Sequence, residues 1–290
     1  MIDINTTPIA ALIESKAYTW ADAQMYVYIM VAFVVIMTIL DLLHKGSAIY
    51  FFDAAAKADA DLAAGDADCS LGKEDGRLKQ LSSGDKIGAL VNTVAIDVAT
   101  AGEFSNPTRR AVHILTMWGF ILFNAATAII IFGEVTGNTL LAQVWNIGAI
   151  MLLVGSFWYW FSMRVNVIAE GDSWTSIEWK RDMFSLALMG LSFSSLAWGI
   201  YGGTGVWFSL VLLSSTVLFC GVYWSKFSHM FFKPMAAYNK RIIEANGTNE
   251  NLPHETRDDE WQQNRHSMEL LKDAPMDMGL GIEREAPNHY

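Results

Sequence analysis

The sequence predicts an all-α, polytopic membrane protein with five transmembrane helices in a bundle. Hydrophobic residues make up 52% of the 290 residues and charged residues only 17%, whereas roughly a quarter of the residues in a soluble domain are charged. The mean hydropathy is +0.26. The apolar residues are concentrated in runs of about 20, the length that crosses a bilayer as a helix.

Five segments have the length and the low charge expected of a membrane span. The first is too long for the core of a signal peptide, and no small-residue cleavage pattern follows it, so we interpret it as a span. The last two are separated only by residues 202–205, a glycine-rich turn that predicts an antiparallel helical hairpin. The predicted spans are 25–43, 111–133, 140–163, 183–203 and 206–230.

The fifth span changes character toward its end. It begins with about 20 uncharged residues, and aromatic and cationic side chains then alternate from Trp224 to Lys233. Such a mixture is typical of the place where a helix leaves the hydrocarbon for the headgroups. Pro234 predicts that the helix does not continue beyond this point.

Lysine and arginine predict the orientation of the chain. They are frequent in 44–110, in the loop after the third span and in 233–241, whereas the opposite side has only Lys16. By the positive-inside rule, the N-terminus faces out and the C-terminus faces the cytoplasm. The predicted regions are an outer segment 1–24, span 25–43, a cytoplasmic helical segment 44–110, spans two to five with the cytoplasmic end of the fifth in 111–241, and an acidic cytoplasmic tail 242–290.

The segment 44–110 contains two predicted helices. An alanine-rich, acidic stretch at 53–66 extends the first span into the cytoplasm. In the second stretch, apolar residues recur at helical spacing, which predicts an amphipathic helix. That helix lies on the membrane, under a partner, or on the protein's own cytoplasmic face. The residues that define it are Ile87, Leu90, Val91, Val94 and Val98.

Composition excludes several functional classes. Two cysteines, Cys69 and Cys220, are too few for a disulfide framework or for a four-cysteine iron–sulfur or zinc site. The chain has no long basic run of the kind that binds nucleic acid. It also has neither an internal repeat nor a charged residue at the centre of a span, features that transport folds often use.

Three histidines are predicted to lie at one depth, the cytoplasmic edge of the membrane: His44, His113 and His229. A bis-histidine haem b needs two imidazoles from helices that pack together, with cations nearby for the propionates. His113 and His229 meet the sequence part of this requirement as ligands of the haem iron. Hydrogen bonding at the interface and helix packing are the alternative roles. The candidate cations at this level are Arg109, Arg110, Arg164, Lys226 and Lys233.

Other polar and small residues within the spans suggest further roles. Asp41 and His44 are candidates for a protonatable quinone site, and a helix-end charge cluster is the alternative. Asn124 and Asn146 are expected to form hydrogen bonds between helices. Glycines in the spans predict close approach of helix backbones, at Gly119, Gly148, Gly155, Gly190 and Gly199.

Three sequence blocks resemble a known group of membrane proteins. They are HKGSAIYFF at 44–52, AGEFSNPTRRAVHILTMWGF at 101–120 and WSKFSHMFFKP at 224–234. The blocks resemble the five-helix cytochrome b subunits of the respiratory nitrate reductase gamma type, a group with relatives in heterodisulfide and sulfite reductase complexes. Within that group the chain looks most like the membrane anchors of dissimilatory adenylylsulfate reductases, over about 44–241.

The resemblance implies a subunit that is not catalytic alone. It would dock a cytoplasmic flavin and iron–sulfur enzyme, which interconverts adenylylsulfate with sulfite and AMP, and would exchange electrons with quinone in the inner (cytoplasmic) membrane. His113 and His229 stand where the larger family places its cytoplasm-side haem ligands. The second, deeper pair of ligands in that family has no counterpart here, so at most one haem is implied. A haem-free anchor is the alternative.

Overall fold

The computed structural model describes residues 3–45, 79–102, 106–164, 173–225 and 229–247, together with residues 53, 56, 60, 104 and 227. Every regular element within these residues is helical, which confirms the all-α prediction. The tail beyond 247, Lys226, most of 53–66 and the side chain of His229 lie outside the description. The helices are α1 (Pro8–Glu14), α2 (Trp20–Lys45), α3 (Ser83–Asn92), a π-helix (Thr93–Val98), α4 (Pro107–Phe132), α5 (Thr139–Ser162), α6 (Trp179–Tyr201), α7 (Val206–Cys220) and α8 (His229–Ala245).

Four helices are long and apolar enough to cross a membrane. They are Trp20–His44, Pro107–Phe132, Thr139–Ser162 and Trp179–Tyr201. This confirms the prediction of a multi-pass membrane protein. The fifth predicted span corresponds to α7, whose 15 residues would be about 23 Å long, less than the hydrocarbon thickness of about 30 Å.

The predicted single helix over 206–230 is broken in the structure. α7 ends at Cys220, and the carbonyl of Gly221 accepts hydrogen bonds from the backbone N–H groups of Trp224 and Ser225. These bonds close a turn, and a new helix begins at His229. The prediction that Pro234 stops helix formation was also wrong, since Pro234 lies inside α8.

The chain divides into two compact units, and Met1–Gly46 with Pro107–Phe231 forms unit 1. Its largest helix contact joins α4 and α5, followed by α6 with α7 and α5 with α6. α2 makes smaller contacts with α7 and α4. α5 and α6 are therefore the inner helices of this unit.

Glycines allow the backbones of α4 and α5 to touch, as the sequence predicts. A Cβ atom at Gly148 would lie 2.6 Å from the backbone nitrogen of Phe123, and one at Gly155 would lie 2.7 Å from that of Thr116. Gly119 is similarly crowded by the backbone of Leu152, whereas a Cβ atom at Gly190 of α6 would meet the side chain of Ser214 on α7 at 2.6 Å. The prediction was wrong for Gly199, where a Cβ atom would meet no other residue within 4 Å.

Polar side chains connect the helices at a few points. Nε1 of Trp145 on α5 donates to Oγ1 of Thr127 on α4 at 3.0 Å. Asn146 donates to the carbonyl of Ala142 in its own helix at 2.9 Å and to that of Thr6, which precedes α1, at 3.1 Å, so it contacts the N-terminal segment rather than another helix as predicted. Asn124 departs from the prediction, because it donates to the carbonyl of Phe120 in its own helix.

The N-terminal segment contains α1, a helix that the sequence analysis did not predict. Thr7 is its N-cap and Pro8 its first residue, a favourable start because proline lacks the N–H that would otherwise be unpaired. Ile9 and Leu12, three residues apart on one face, are buried in the core of unit 1. This apolar pair holds the N-terminal segment against the helices.

The predicted hairpin between α6 and α7 is confirmed. Gly202 and Gly203 have φ angles of +64° and +69°, a region that favours glycine. Nε1 of Trp198 donates to the carbonyl of Gly203 at 2.8 Å and fastens the turn to the end of α6.

Unit 2 comprises Ser47–Asn106 and Phe232–Tyr290. The predicted amphipathic helix is present as α3, which continues directly into the π-helix. Ser82 and Asp85 form a capping box at its start. The hydroxyl and the backbone N–H of Ser82 donate to the Asp85 carboxylate and hold its pKa below the ordinary value.

Candidate functional site at the histidine end of unit 1

The antiparallel helices of unit 1 bring most of the predicted site residues to one end. Gln24, near the start of α2, donates to the carbonyl of Ile131, near the end of α4, so these helices run in opposite directions. Thr116 of α4 meets Gly155 of α5, so the start of α4 also lies beside the end of α5. We call this the histidine end. It holds His44, Arg109, Arg110, His113 and Arg164.

His113 is half-buried on the face of α4 that points toward α7. Phe120 follows seven residues later on the same helix face. Its ring centroid lies 6.3 Å from that of Phe219 on α7 and 6.1 Å from that of Phe227. His229 follows Phe227 by only two residues. The helix face of His113 is therefore turned toward the chain segment that carries the second predicted ligand.

An aromatic cluster lies just inside this end. Phe227 is 2% exposed and stacks on Phe184 of α6 with ring centroids 5.3 Å apart. Phe219 completes the group at 6.1 Å from Phe227. The sequence analysis treated Phe227 only as an interface residue, although the density of aromatic residues around it signals a packed cluster. The cluster provides an apolar floor beneath the level of His113.

Arg164, a predicted cation for haem propionates, is instead engaged with Asp182. Its Nε atom donates to Oδ1 of Asp182 at 2.8 Å, and Nη2 donates to Oδ2 and to the carbonyl of Ser176. The side chains of Arg164 and Asp182 are only 1% and 2% exposed. Arg164 would have to break this buried pair before it contacted another anion.

Further contacts hold this ion pair in place. The guanidinium carbon of Arg164 lies 4.1 Å from the centre of the Trp160 ring, within cation–π range. Asp182 also accepts from the backbone N–H of Glu178 at 2.8 Å and from Nε of Arg181 at 3.1 Å. Asp182 was not among the residues predicted from the sequence. Its signal was an acidic residue in the first turn of an apolar helix, where the helix dipole favours negative charge.

Two other predicted cations occupy the first turn of α4. Arg109 and Arg110 are both exposed. Arg109 precedes His113 by four residues and therefore lies on the same helix face, one turn closer to the helix start. The same stripe of α4 thus presents Arg109, His113 and Phe120 in order of increasing depth.

The two candidate quinone residues have different surroundings. Asp41, near the end of α2, is 1% exposed. His44 is exposed, and its ring centroid lies 6.3 Å from that of Tyr223, in the turn after α7. The structure therefore places a buried carboxyl group and an accessible imidazole within one turn of the same helix.

His113 and Arg109 are residue types that a bis-histidine haem would use and lie on one face of α4, whereas the side chain of His229 lies outside the description. Among the described residues, no group of three or more His, Cys, Asp or Glu is placed to hold a metal ion, but haem needs only two axial imidazoles. His113 supplies one from a half-buried position above an apolar floor. Arg109 lies on the same face, one turn closer to the start of α4.

No protein-family model, curated protein or solved structure matches this chain. The resemblance carried by the three sequence blocks therefore remains a prediction, and the function has to be inferred from the residues of the chain.

Proposed function

We propose that this chain is a membrane electron-transfer subunit with one haem b. It anchors a cytoplasmic flavin and iron–sulfur oxidoreductase, adenylylsulfate reductase of sulfur metabolism, and exchanges electrons with the quinone pool. The observation that carries the proposal is the stripe of α4 that presents Arg109, His113 and Phe120 toward the segment leading to His229. The proposal includes five spans in the inner membrane, with the N-terminus outside and the C-terminus in the cytoplasm.

Each residue at the histidine end has a role in this proposal. His113 and His229 hold the haem iron, and Arg109, Arg110 and Lys226 neutralise the propionates. The aromatic cluster below excludes water, which strengthens electrostatic interactions at the site. The haem supplies a one-electron carrier at the cytoplasmic edge of the membrane. Because Arg164 is committed to Asp182, we assign it to holding α5 against α6.

Quinone exchange is proposed at the same end. His44 is exposed beside Tyr223, so its imidazole is accessible to a quinone headgroup. Asp41 is a buried acid one turn away. With the haem and the proton-exchanging residues on one side of the membrane, electron transfer would be largely electroneutral. A quinone site mapped to the opposite end would overturn this part of the proposal.

A haem-free structural anchor is the second candidate. The enclosure of Arg164 favours it, because one of the cations predicted for propionates is already paired. In this case the chain would hold the soluble enzyme at the membrane without carrying electrons.

A reduced-minus-oxidised visible spectrum separates the two candidates. The purified full chain, produced with ample haem, is compared with His113→Ala and His229→Ala, and haem is counted as the pyridine haemochrome. We expect about one haem b per chain in the parent and loss of haem in both variants. His44→Ala is the matched control at the same end and should retain the haem. Folded protein without haem would support the anchor alone.

A further inference from the structure

The helix formed by α3 and the π-helix turns its apolar side outward. Four aliphatic residues at helical spacing form one stripe. Their side chains are not packed into the part of unit 2 that the structure describes. The stripe, which we call the aliphatic face, consists of Ile87, 62% exposed, Leu90, 50%, Val91, 58%, and Val94, 55%.

The inward side of the same helix is polar. Thr93 is 1% exposed and donates to the carbonyl of Ala89 at 2.9 Å. Asp97 accepts two hydrogen bonds from Arg241 of α8, at 2.6 Å from Nε and 2.7 Å from Nη2. This is the reverse of a soluble amphipathic helix, which buries its apolar stripe and exposes its polar side.

The ion pair fixes this orientation. Paired bonds between a guanidinium and a carboxylate are among the stronger hydrogen bonds in proteins, and they form only when the two planar groups face each other. If the helix rotated to bury the aliphatic face, Asp97 and Arg241 would separate. The outward aliphatic face is therefore maintained by a specific contact.

The chemistry of the face indicates what covers it. It contains isoleucine, leucine and valine, and lacks the tyrosine, tryptophan and arginine that dominate binding energy at protein interfaces. Branched aliphatic side chains suit acyl chains, which demand no directional contact. A lipid surface therefore matches this face better than a protein partner does.

Chain connectivity keeps the helix close to the bilayer. Residues 99–106 are the only residues between the end of the π-helix and Pro107, where a candidate membrane span begins. Eight residues extend at most about 28 Å when fully stretched. The aliphatic face is thus tethered within reach of a membrane surface.

We propose that the aliphatic face lies in the interfacial region of the bilayer, so that α3 and the π-helix rest on the membrane surface. An interfacial helix of this kind buries its apolar side by about 5–10 Å in the boundary between headgroups and acyl chains. Unit 2 would then be attached to lipid along its own surface as well as through the spans that flank it in sequence.

Fluorescence quenching in vesicles tests this attachment. The full chain, with Cys69→Ser and Cys220→Ser, receives a single cysteine by Leu90→Cys or Val94→Cys and is labelled with nitrobenzoxadiazole. It is reconstituted into vesicles of phosphatidylcholine and phosphatidylglycerol, with or without a nitroxide-labelled lipid. We expect the labels at 90 and 94 to lose most of their emission when the nitroxide lipid is present, and to be protected from aqueous iodide.

Asn92→Cys is the matched control, because residue 92 of the same helix is exposed but lies outside the stripe of the aliphatic face. Its label should be quenched by iodide and little affected by the nitroxide lipid. Equal iodide quenching at 90, 92 and 94 would overturn the proposal by showing a water-exposed face. Protection from iodide without quenching by the nitroxide lipid would also overturn it, since protein would then cover the face. Circular dichroism identifies variants that fold, and Val91→Cys replaces one that does not.

Discussion

Helices α2 and α6 of unit 1 show opposite relations between hydropathy and burial. The candidate span in α2 has a mean hydropathy of 2.4, and only 11% of its most apolar window is buried. The corresponding span in α6 has a mean hydropathy of 1.5, and 56% is buried. The two helices between them in the ranking, α4 and α5, follow the same trend.

The difference teaches that lipid, more than the protein core, requires strongly apolar side chains here. α2 presents Val31, Val35 and Ile36 to its surroundings, each about half exposed. α6 buries three serines, Ser192, Ser194 and Ser195, at 0% to 1% exposure. A serine tolerates burial because its hydroxyl donates to its own helix backbone, as Ser194 does to the carbonyl of Gly190. Hydropathy alone would have ranked the inner helix last.

The ion pair between Asp182 of α6 and Arg164, which follows the end of α5, allows the sharpest test of the inner helix. Arg164→Ala should lower the free energy of unfolding by about 3–5 kcal/mol, because Asp182 would keep a buried charge without its main partner. A titration with sodium dodecyl sulfate, followed by tryptophan fluorescence, measures the change. Lys180→Ala, at an exposed neighbouring position, should have little effect.

The double variant Arg164→Ala with Asp182→Ala should be less destabilised than Arg164→Ala alone, since it removes both charges. If Arg164→Ala and the double variant both unfold like the parent protein, the ion pair does not stabilise α6.

A charge placed on the lipid-facing side tests the exposure of α2. Val31 lies near the centre of α2 and is exposed. Val31→Arg should therefore make the insertion of α2 into the membrane less favourable by about 2.5–3.5 kcal/mol. Engineered glycosylation sites at the N-terminus of the full chain would report the fraction of α2 that inserts. Val31→Leu should insert like the parent. Equal insertion of Val31→Arg would show that this position is not in contact with lipid.

Substitutions of Ser195 in α6 test why a serine is buried there. The reason is either its small size or a hydrogen bond of its hydroxyl. Its Oγ atom is buried and makes no hydrogen bond in the described part of the chain. Ser195→Leu should therefore cost about 1–3 kcal/mol through overpacking, whereas Ser195→Ala should be neutral. The same detergent titration applies, with Val35→Leu on α2 as the lipid-facing counterpart. A destabilised Ser195→Ala would instead assign the role to the hydroxyl.

The smallest change in the free energy of unfolding is expected when the hydrogen bonds between α2 and α7 are removed. The hydroxyl of Tyr26 lies 2.6 Å from Oγ of Ser215 and 3.0 Å from Oγ1 of Thr216. Tyr26→Phe should cost about 0.5–1.5 kcal/mol, the net value of a hydrogen bond. Tyr28→Phe is the control, since Tyr28 is 59% exposed. Equal stability of both variants would show that the Tyr26 hydroxyl does not help to hold α2 against α7.

Much of the fold was predictable because membrane spans carry a strong local signal. Length and apolar composition identify the four longest helices, and residues 202–205 identify the hairpin between α6 and α7. The break after Cys220 was not predicted, because the sequence stays apolar and uncharged on both sides of that point. It is defined by the hydrogen bonds to the Gly221 carbonyl and by the close packing at Gly221, where an added Cβ atom would lie 2.6 Å from Cε of Met183.

The candidate site was predictable in part. Its residues could be chosen from chemistry and depth, since histidines and arginines are rare near spans. The engagement of Arg164 was not predictable, because Asp182 lies 18 residues away in sequence and only the folded chain brings the two side chains together. The aromatic cluster around Phe227 likewise joins four separate parts of unit 1.

The sequence by itself determined that this chain is helical, that it crosses a membrane several times, and which residues can provide chemistry at one end. These properties follow from composition over about 20 residues at a time. Tertiary structure decided which helix faces lipid, which cation is already paired, and that α3 turns its aliphatic face outward. Those outcomes depend on contacts between distant residues, such as Asp97 with Arg241, whose pairing no local pattern specifies.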